Sequence, residues 1–405
     1  MNAVCAILAR LKLLLAIAAL WVAVAAAIAQ EPPAGSGATL VLLDGKSVAV
    51  KTLSLAAGKL AGEGVPDRLT LDDLRRIELS SEPPAADKPA VVVELRGGGR
   101  ILGKAATIGN DKCQIEWSLG ERLSIPIDVV RAVRFDPEAA KGEFEKALAA
   151  PAADADRIFF KVEGKSDSVS GLIAGLTAEQ LTFQLEGQER TLPRAQLVGI
   201  VVAQPRAVDD ATYTTVHLRD GSRLAGDLAT IARDKAVIVL PGGGQVEFPW
   251  SAARSVDVRS SRVAFLSDLK PAEVEEATLV TLPRPWQRDK SVHGKPLTLG
   301  TRVFDKGIGV HARSALTFAA GRKYDVLAAV IGIDAQTAGK GDCVFQVLGD
   351  GQSIFTQQIK GNDPPQTVNL DISRYDKITL LVEPGEGLDL ADHADWCDVR
   401  MIRNK

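Results

Sequence analysis

Six side chains in the last third of the chain have the types that a hydroxyl-rich ligand demands. They are Trp286, His311, Arg313, Asp392, His393 and Trp396. A carboxylate or a guanidinium can take two neighbouring hydroxyls at once, and an imidazole offers one donor and one acceptor. An indole covers the C–H face of a sugar ring. Hydrogen bonds with one charged partner are worth about 1.5–3 kcal/mol each. The chemistry these residues point to is saccharide recognition, with Trp286 supplied by the exposed loop Pro283 to Asp289.

Each of these residues has a second role open to it. His311 follows Gly307-Ile308-Gly309 and could close a tight turn against backbone. His393 and Asp395 could orient each other or tie down the loop at Asp392. Trp396 opens a strand pattern, where a buried indole is a common sandwich anchor. Asp334 and Asp350 read as turn formers, and Asp350-Gly351 is a hairpin signal. Glu386, Asp389, Asp392 and Asp395 crowd a glycine-containing loop. Oxygen-rich loops of this kind can take calcium, although the spacing is not that of an EF-hand. The expectation is no cofactor, with calcium the one open candidate.

Catalytic signatures are missing. The chain has no His-Glu-x-x-His, no Gly-x-Ser-x-Gly and no phosphate-loop Gly-Lys-Ser/Thr. Its cysteine spacing fits no zinc site. A formal net charge of -3 supplies no basic stripe for nucleic acid. Paired carboxylates for a glycosidase stay open, because Asp and Glu are plentiful.

The elements that must position these residues read as strands. Short apolar runs with turn signals fill Lys306 to Arg403. Strands are expected near Ala315 to Phe318, Tyr324 to Ile333, Cys343 to Leu348, Ser353 to Gln358, Thr367 to Leu370, Ile378 to Val382 and Trp396 to Ile402. In the last, Cys397, Val399 and Met401 alternate with Asp398 and Arg400, the period of a half-buried strand.

The landmarks Gly307-Ile308-Gly309-Val310-His311-Ala312-Arg313, Val330-Ile331-Gly332-Ile333-Asp334, Phe345-Gln346-Val347-Leu348-Gly349-Asp350-Gly351 and Asp392-His393-Ala394-Asp395-Trp396 stand in register. With an opening strand at Val263 to Leu269, this set resembles the NPCBM family of carbohydrate-binding modules. The resemblance implies a jelly-roll-like β-sandwich over 262–405 and a binding appendage of the kind usually attached to enzymes, with no catalytic domain left to place here. Pro271 stands where the family pattern would place an aromatic near the opening strand.

The N-terminus reads as a targeting segment over 1–29. Arg10 and Lys12 precede the apolar run Leu13 to Ala29, and Ala27-Ile28-Ala29 is a small-x-small cleavage site. A flexible tether over 30–37 follows. An uncleaved membrane anchor is the rival reading, though the run is slightly short of the roughly 20 residues of a span. Cleavage would leave Cys113, Cys343 and Cys397, an odd count that argues against a full disulfide framework. Cys343 and Cys397 could pair, but their strand-like surroundings favour buried thiols.

Between 38 and 259 one pattern recurs four times, over 38–80, 88–136, 155–203 and 211–259. Each opening strand runs into a glycine turn, at Gly45, Gly99, Gly164 and Gly221. Gly103, Gly171 and Gly226 follow, then closing segments headed by Pro126, Pro193 and Pro249. From turn glycine to proline the spacing is 27, 29 and 28 residues, as duplicated units leave it. The first unit has Leu71 for the proline and lacks the second glycine.

Four small SH3/Sm-like barrels before the sandwich are expected from this pattern, with fusion of two units into one sheet as the alternative. The whole reads as an all-β, exported, non-catalytic protein that attaches to a glycan of the cell envelope or surroundings. Its repeats would be spacers or docking units for envelope proteins. The alternatives are an envelope scaffold that binds only proteins, and a glycoside hydrolase with an unrecognised site.

Overall fold

The computed structural model describes residues 37–79, 88–120, 122–136, 139–151, 154–204, 213–279, 284–386 and 388–404. The targeting segment, all but Gly37 of the tether, and parts of the linkers near 80–87 and 205–212 lie outside the described residues.

Each repeat is a five-stranded antiparallel unit. In the fourth, Thr214–Leu218 pairs with both Arg223–Ala232 and the closing strand Ala253–Val258. Between them run Lys235–Val239 and Gln245–Pro249. The first, second and third units repeat this scheme. A 3-10 turn precedes every closing strand, and Pro126, Pro193 and Pro249 are the residues that enter it. Proline suits that place because the strand ends there and no further ladder donor is needed.

The second glycine landmark has a steric cause. A Cβ on Gly226 would lie 2.1 Å from the Val239 carbonyl oxygen, and one on Gly171 would lie 2.6 Å from that of Gln184. At Gly226 and Gly103 the long second strand bulges shortly afterwards, and the partner backbone comes too close for a side chain.

The units are not separate beads but share one sheet network, in line with the alternative of fused units. The closing strands of the first and fourth units pair edge to edge, with Ile77 opposite Val256. Those of the second and third do the same, with Val133 opposite Ile200. The long second strands of the second and fourth units then join the two pairs, with Arg223 opposite Arg100. The result is one 20-stranded network over a continuous apolar core. Pairing edges in this way removes exposed ladders that would otherwise invite aggregation. Three helical turns are expected over Glu138 to Ala150, and a helix is observed at Lys141–Ala149. Its Phe144 packs on Phe159 with ring centroids 5.0 Å apart.

The C-terminal part is a two-sheet sandwich. One sheet runs Gln287–Arg288, Gly307–His311, His393–Ile402, Val326–Ile333, Gln366–Asp371, with Val263–Phe265 also on the His393–Ile402 strand. The other runs Glu273–Glu276, Ser314–Ala319, Lys377–Pro384, Asp342–Gly349, Gln352–Lys360. Every strand expected within Ala315 to Ile402 is present.

The face assignment in the last strand is corrected. Asp398 has φ of +51°, and the ladder to Val326–Ile333 shifts register opposite it. This bulge inserts one residue, so Trp396 shares the main core with Val399 and Met401. Cys397 turns to the other side, against Leu297, Leu299 and Phe304. Cys343 sits in the main core, so the two thiols are free and cannot pair. The strand is also buried on both faces, because the first repeat unit covers the polar one.

That cover is held by specific bonds. Arg400 donates from Nε and Nη2 to the Leu43 carbonyl oxygen at 3.0 and 2.7 Å, and from Nη1 to that of Asp398 at 2.8 Å. Arg75 pairs with Asp398 at 2.5 Å, and Arg262 with Asp73 at 2.5 Å. Burial lowers the Arg400 pKa to about 10, which still leaves it charged.

Two outcomes test this architecture. Gly226→Ala should lower the denaturant midpoint of the full chain, at a cost of about 1–3 kcal/mol for overpacking. Arg400→Leu leaves the buried Leu43 carbonyl unpaired, a loss of about 1–3 kcal/mol. Calorimetry should then show the sandwich and the repeat body melting further apart than in the unsubstituted chain. An unchanged trace would remove Arg400 from this role.

Candidate functional site

The site is built where Gly307–His311 and His393–Ile402 run side by side, with His311 directly opposite His393. Gly309 is what lets a third histidine join them. A Cβ there would lie 2.4 Å from the Lys290 carbonyl oxygen, so only glycine lets the Lys290–Ser291 backbone cross over this strand. That crossing leads to His293. The His293 and His393 ring centroids are 4.4 Å apart, and those of His311 and His393 are 5.5 Å apart. Three of the chain's four histidines therefore meet in one place.

A line of polar contacts runs through them. Arg284 Nη1 lies 3.2 Å from His293 Nδ1, and His293 Nε2 lies 3.1 Å from His393 Nδ1. His311 is buried, and its Nδ1 donates to the Ala312 carbonyl oxygen. Arg284 and His293 are exposed, and His393 is half-buried. Burial, then His293, His311 and Arg284 in that order, push the His393 pKa down to about 4. Its imidazole is thus neutral near pH 7, the state that offers one donor and one acceptor.

Arg313 and Trp286 lie on segments next to the His311 strand, and the structure gives each its own partners away from the histidines. Arg313 is half-exposed, with Nε 3.2 Å from Glu383 Oε2. Trp286 precedes the two-residue strand Gln287–Arg288, which pairs with Gly309 and Ile308, so the indole lies beside the His311 strand. It is half-buried on the edge of the core, and its backbone N–H donates to Glu276 Oε1 at 2.6 Å.

Two expected site residues are turned inward. Trp396 is fully buried, edge-to-face against Phe345 at 5.2 Å, so it is a core anchor and not a sugar platform. The Asp392 carboxylate accepts from the Asp342 backbone N–H at 2.8 Å, and its own carbonyl oxygen accepts from Ala312 N–H at 3.1 Å. It ties the loop down and does not face a ligand. Burial, with Asp342 and Asp389 nearby, pushes its pKa up to about 6. Asp395 is buried beside Asp334, and burial followed by that neighbour hold its carboxyl well above the usual range. It does not orient His393. Among the described residues no group of three or more His, Cys, Asp or Glu could hold a metal ion, which includes the acidic loop considered for calcium.

Sequence reasoning missed Arg284 and His293. The signal was present in the crowding of three histidines into the last third, with His293 just beyond the Trp286 loop.

A cavity of about 830 Å³ lies elsewhere, at the junction of the sandwich with the first and fourth repeat units. Its charged walls are largely spent on one another, Arg75 on Asp398, Arg76 on Asp257, and Lys306 on Asp268 and Asp289. The histidine cluster is the better candidate for a ligand, because its groups converge from three segments.

Residues 262–402 match the family described as NPCBM/NEW2 domain. The module is 26% identical in sequence to a CBM51 from Clostridium perfringens GH95, solved in complex with methyl-galactose. That alignment covers 34% of this chain and 99% of that one at a TM-score of 0.32. A second C. perfringens structure, CBM51-2 with GlcNAc and INT domains of ZmpB, is 21% identical. It covers 45% of this chain and 44% of that one at a TM-score of 0.33. A protein of Renibacterium salmoninarum named "Putative endo-alpha-N-acetylgalactosaminidase" is 26% identical over 216 residues, 44% of this chain. The chain spans 14% of the length of that relative. The identity of the NPCBM/NEW2 module rests on the family match and on the two-sheet fold.

The two shifted groups pull stability in opposite directions. His393 has a folded value of about 4, below its ordinary 6.5. As pH falls through that window the unfolded chain takes a proton that the folded chain refuses, so stability drops. Asp392 has a folded value of about 6, above its ordinary 3.8. There the folded chain takes the proton first, so stability rises as pH falls. Asp392→Asn removes the second effect. Its urea midpoint should fall more steeply between pH 6 and pH 4 than that of the unsubstituted chain. Parallel curves would show that Asp392 titrates normally.

Proposed function

We propose that this chain is an exported, non-catalytic carbohydrate-binding protein, and that the NPCBM/NEW2 module takes a saccharide at its histidine cluster. The observation that carries this reading is the convergence of His293, His311 and His393, with Arg284 bonded to His293, in a module matched to that family. The neutral imidazole of His393 and the Arg284 guanidinium suit hydroxyls. The ligands named for the two C. perfringens structures, methyl-galactose and GlcNAc, set the first sugars to try.

A binding role fits the carboxylates better than hydrolysis does. Glycoside cleavage uses two carboxyl groups that both face the scissile bond. Asp392 and Asp395, the acids nearest the cluster in sequence, are both spent inside the protein. The four repeat units, read as SH3/Sm-like barrels merged into one body, would carry the module and present it away from the envelope. Their partners would be envelope proteins.

A glycan array with the full chain tests the assignment. Binding to galactose- or N-acetylhexosamine-terminated glycans is the expected result. His393→Ala should weaken it at least tenfold, the value of one or two hydrogen bonds at about 1–1.5 kcal/mol each, while leaving the melting temperature nearly unchanged. Absence of binding to every glycan class would favour the protein-binding scaffold, and release of reducing sugar would favour a hydrolase.

A further inference from the structure

His393 has two ring nitrogens, and which one carries the proton decides what it can offer a ligand. Its neighbours determine the answer. A guanidinium has donors only, so Arg284 Nη1, 3.2 Å away, requires His293 Nδ1 to accept. A neutral His293 then carries its proton on Nε2. That nitrogen lies 3.1 Å from His393 Nδ1, which must accept in turn. The His393 proton is left on Nε2. The reverse order would set His393 Nδ1–H against His293 Nε2 and force His293 Nδ1–H to face the Arg284 donor. Two donors at 3.2 Å repel, so only one direction of the chain is allowed.

We propose that Arg284 and His293 are positioning residues that fix His393 as a hydrogen-bond donor at Nε2, so that the site selects a ligand oxygen acting as acceptor. This rests on the saccharide reading above and deepens it. With His393 Nε2–H as the donor, the site recognises an acceptor, such as a ring oxygen, a hydroxyl or an acetamido carbonyl. Sugars whose contacting hydroxyl is replaced by a group without lone pairs of comparable strength, such as a deoxy position, would lose that contact. The lowered basicity of His393 agrees with this arrangement, since a second proton on its ring would put a donor against His293 Nε2–H.

Two arms test the proposal on the full chain. The first is the two-bond ¹H–¹⁵N spectrum of ¹⁵N-histidine-labelled protein near pH 7, which needs no ligand. Four histidines make assignment by single substitution practical. His393 should show its proton on Nε2. His293→Phe removes the donor to Nδ1 and should turn this into a mixture of tautomers. His293→Gln, whose amide can accept from Arg284 and donate to His393, should restore it. The second arm is titration with methyl-galactose and with N-acetylglucosamine. His293→Phe should bind roughly tenfold more weakly, the loss of about one directed hydrogen bond, and His293→Gln should recover most of that. A His393 proton on Nδ1 in the unsubstituted chain overturns the proposal. So does a tautomer unmoved by His293→Phe, or sugar affinity unmoved by it while the tautomer changes. If neither sugar binds but the tautomer behaves as expected, the saccharide reading fails and the relay itself stands.

Discussion

The structure depends on one buried cation. Arg400 sits with almost no solvent contact and spends three of its five donors on the carbonyl oxygens of Leu43 and Asp398. A charge in that position is costly to desolvate, and only directed bonds offset the cost. Because Leu43 belongs to the first repeat unit, those bonds fasten the sandwich to the repeat body. The same strand, His393–Ile402, begins with the histidine that heads the candidate site and ends beside Arg400. It is also the common neighbour of Gly307–His311, Val326–Ile333 and Val263–Phe265. Site and junction are therefore two ends of one rigid ladder.

The site follows from what that ladder leaves exposed. Its carboxylates are consumed in holding loops, Asp392 on the Asp342 backbone and Asp395 beside Asp334. Its indole is consumed in the core. Accessible beside them are the imidazoles of His293 and His393 and the guanidinium of Arg284. Such groups recognise oxygen-rich ligands by direction.

The repeat body shows how duplication becomes a single structure. Each unit alone would expose the edge of its closing strand, and pairing those edges two by two removes the exposure. Gly103, Gly171 and Gly226, in the last three units, serve backbone approach at the bulge of the long second strand.

Much of this was legible in the residues. Period-two apolar runs and Asp-Gly turns located the strands of both parts, because side-chain alternation and turn chemistry are local properties of the chain. The landmarks at His311 and His393 marked the two strands that meet at the site. Other features needed the tertiary structure. The bulge at Asp398 reversed the faces of Trp396 and Cys397, since one inserted residue flips every side chain beyond it. The passage of the Lys290–Ser291 backbone over Gly309, which brings Arg284 and His293 to His393, joins segments about a hundred residues apart. The sequence by itself determined which segments are strands and which residue types gather near the C-terminus. Only the three-dimensional packing decided which polar groups are spent inside and which are left for a ligand, because burial depends on what comes to lie across from each residue.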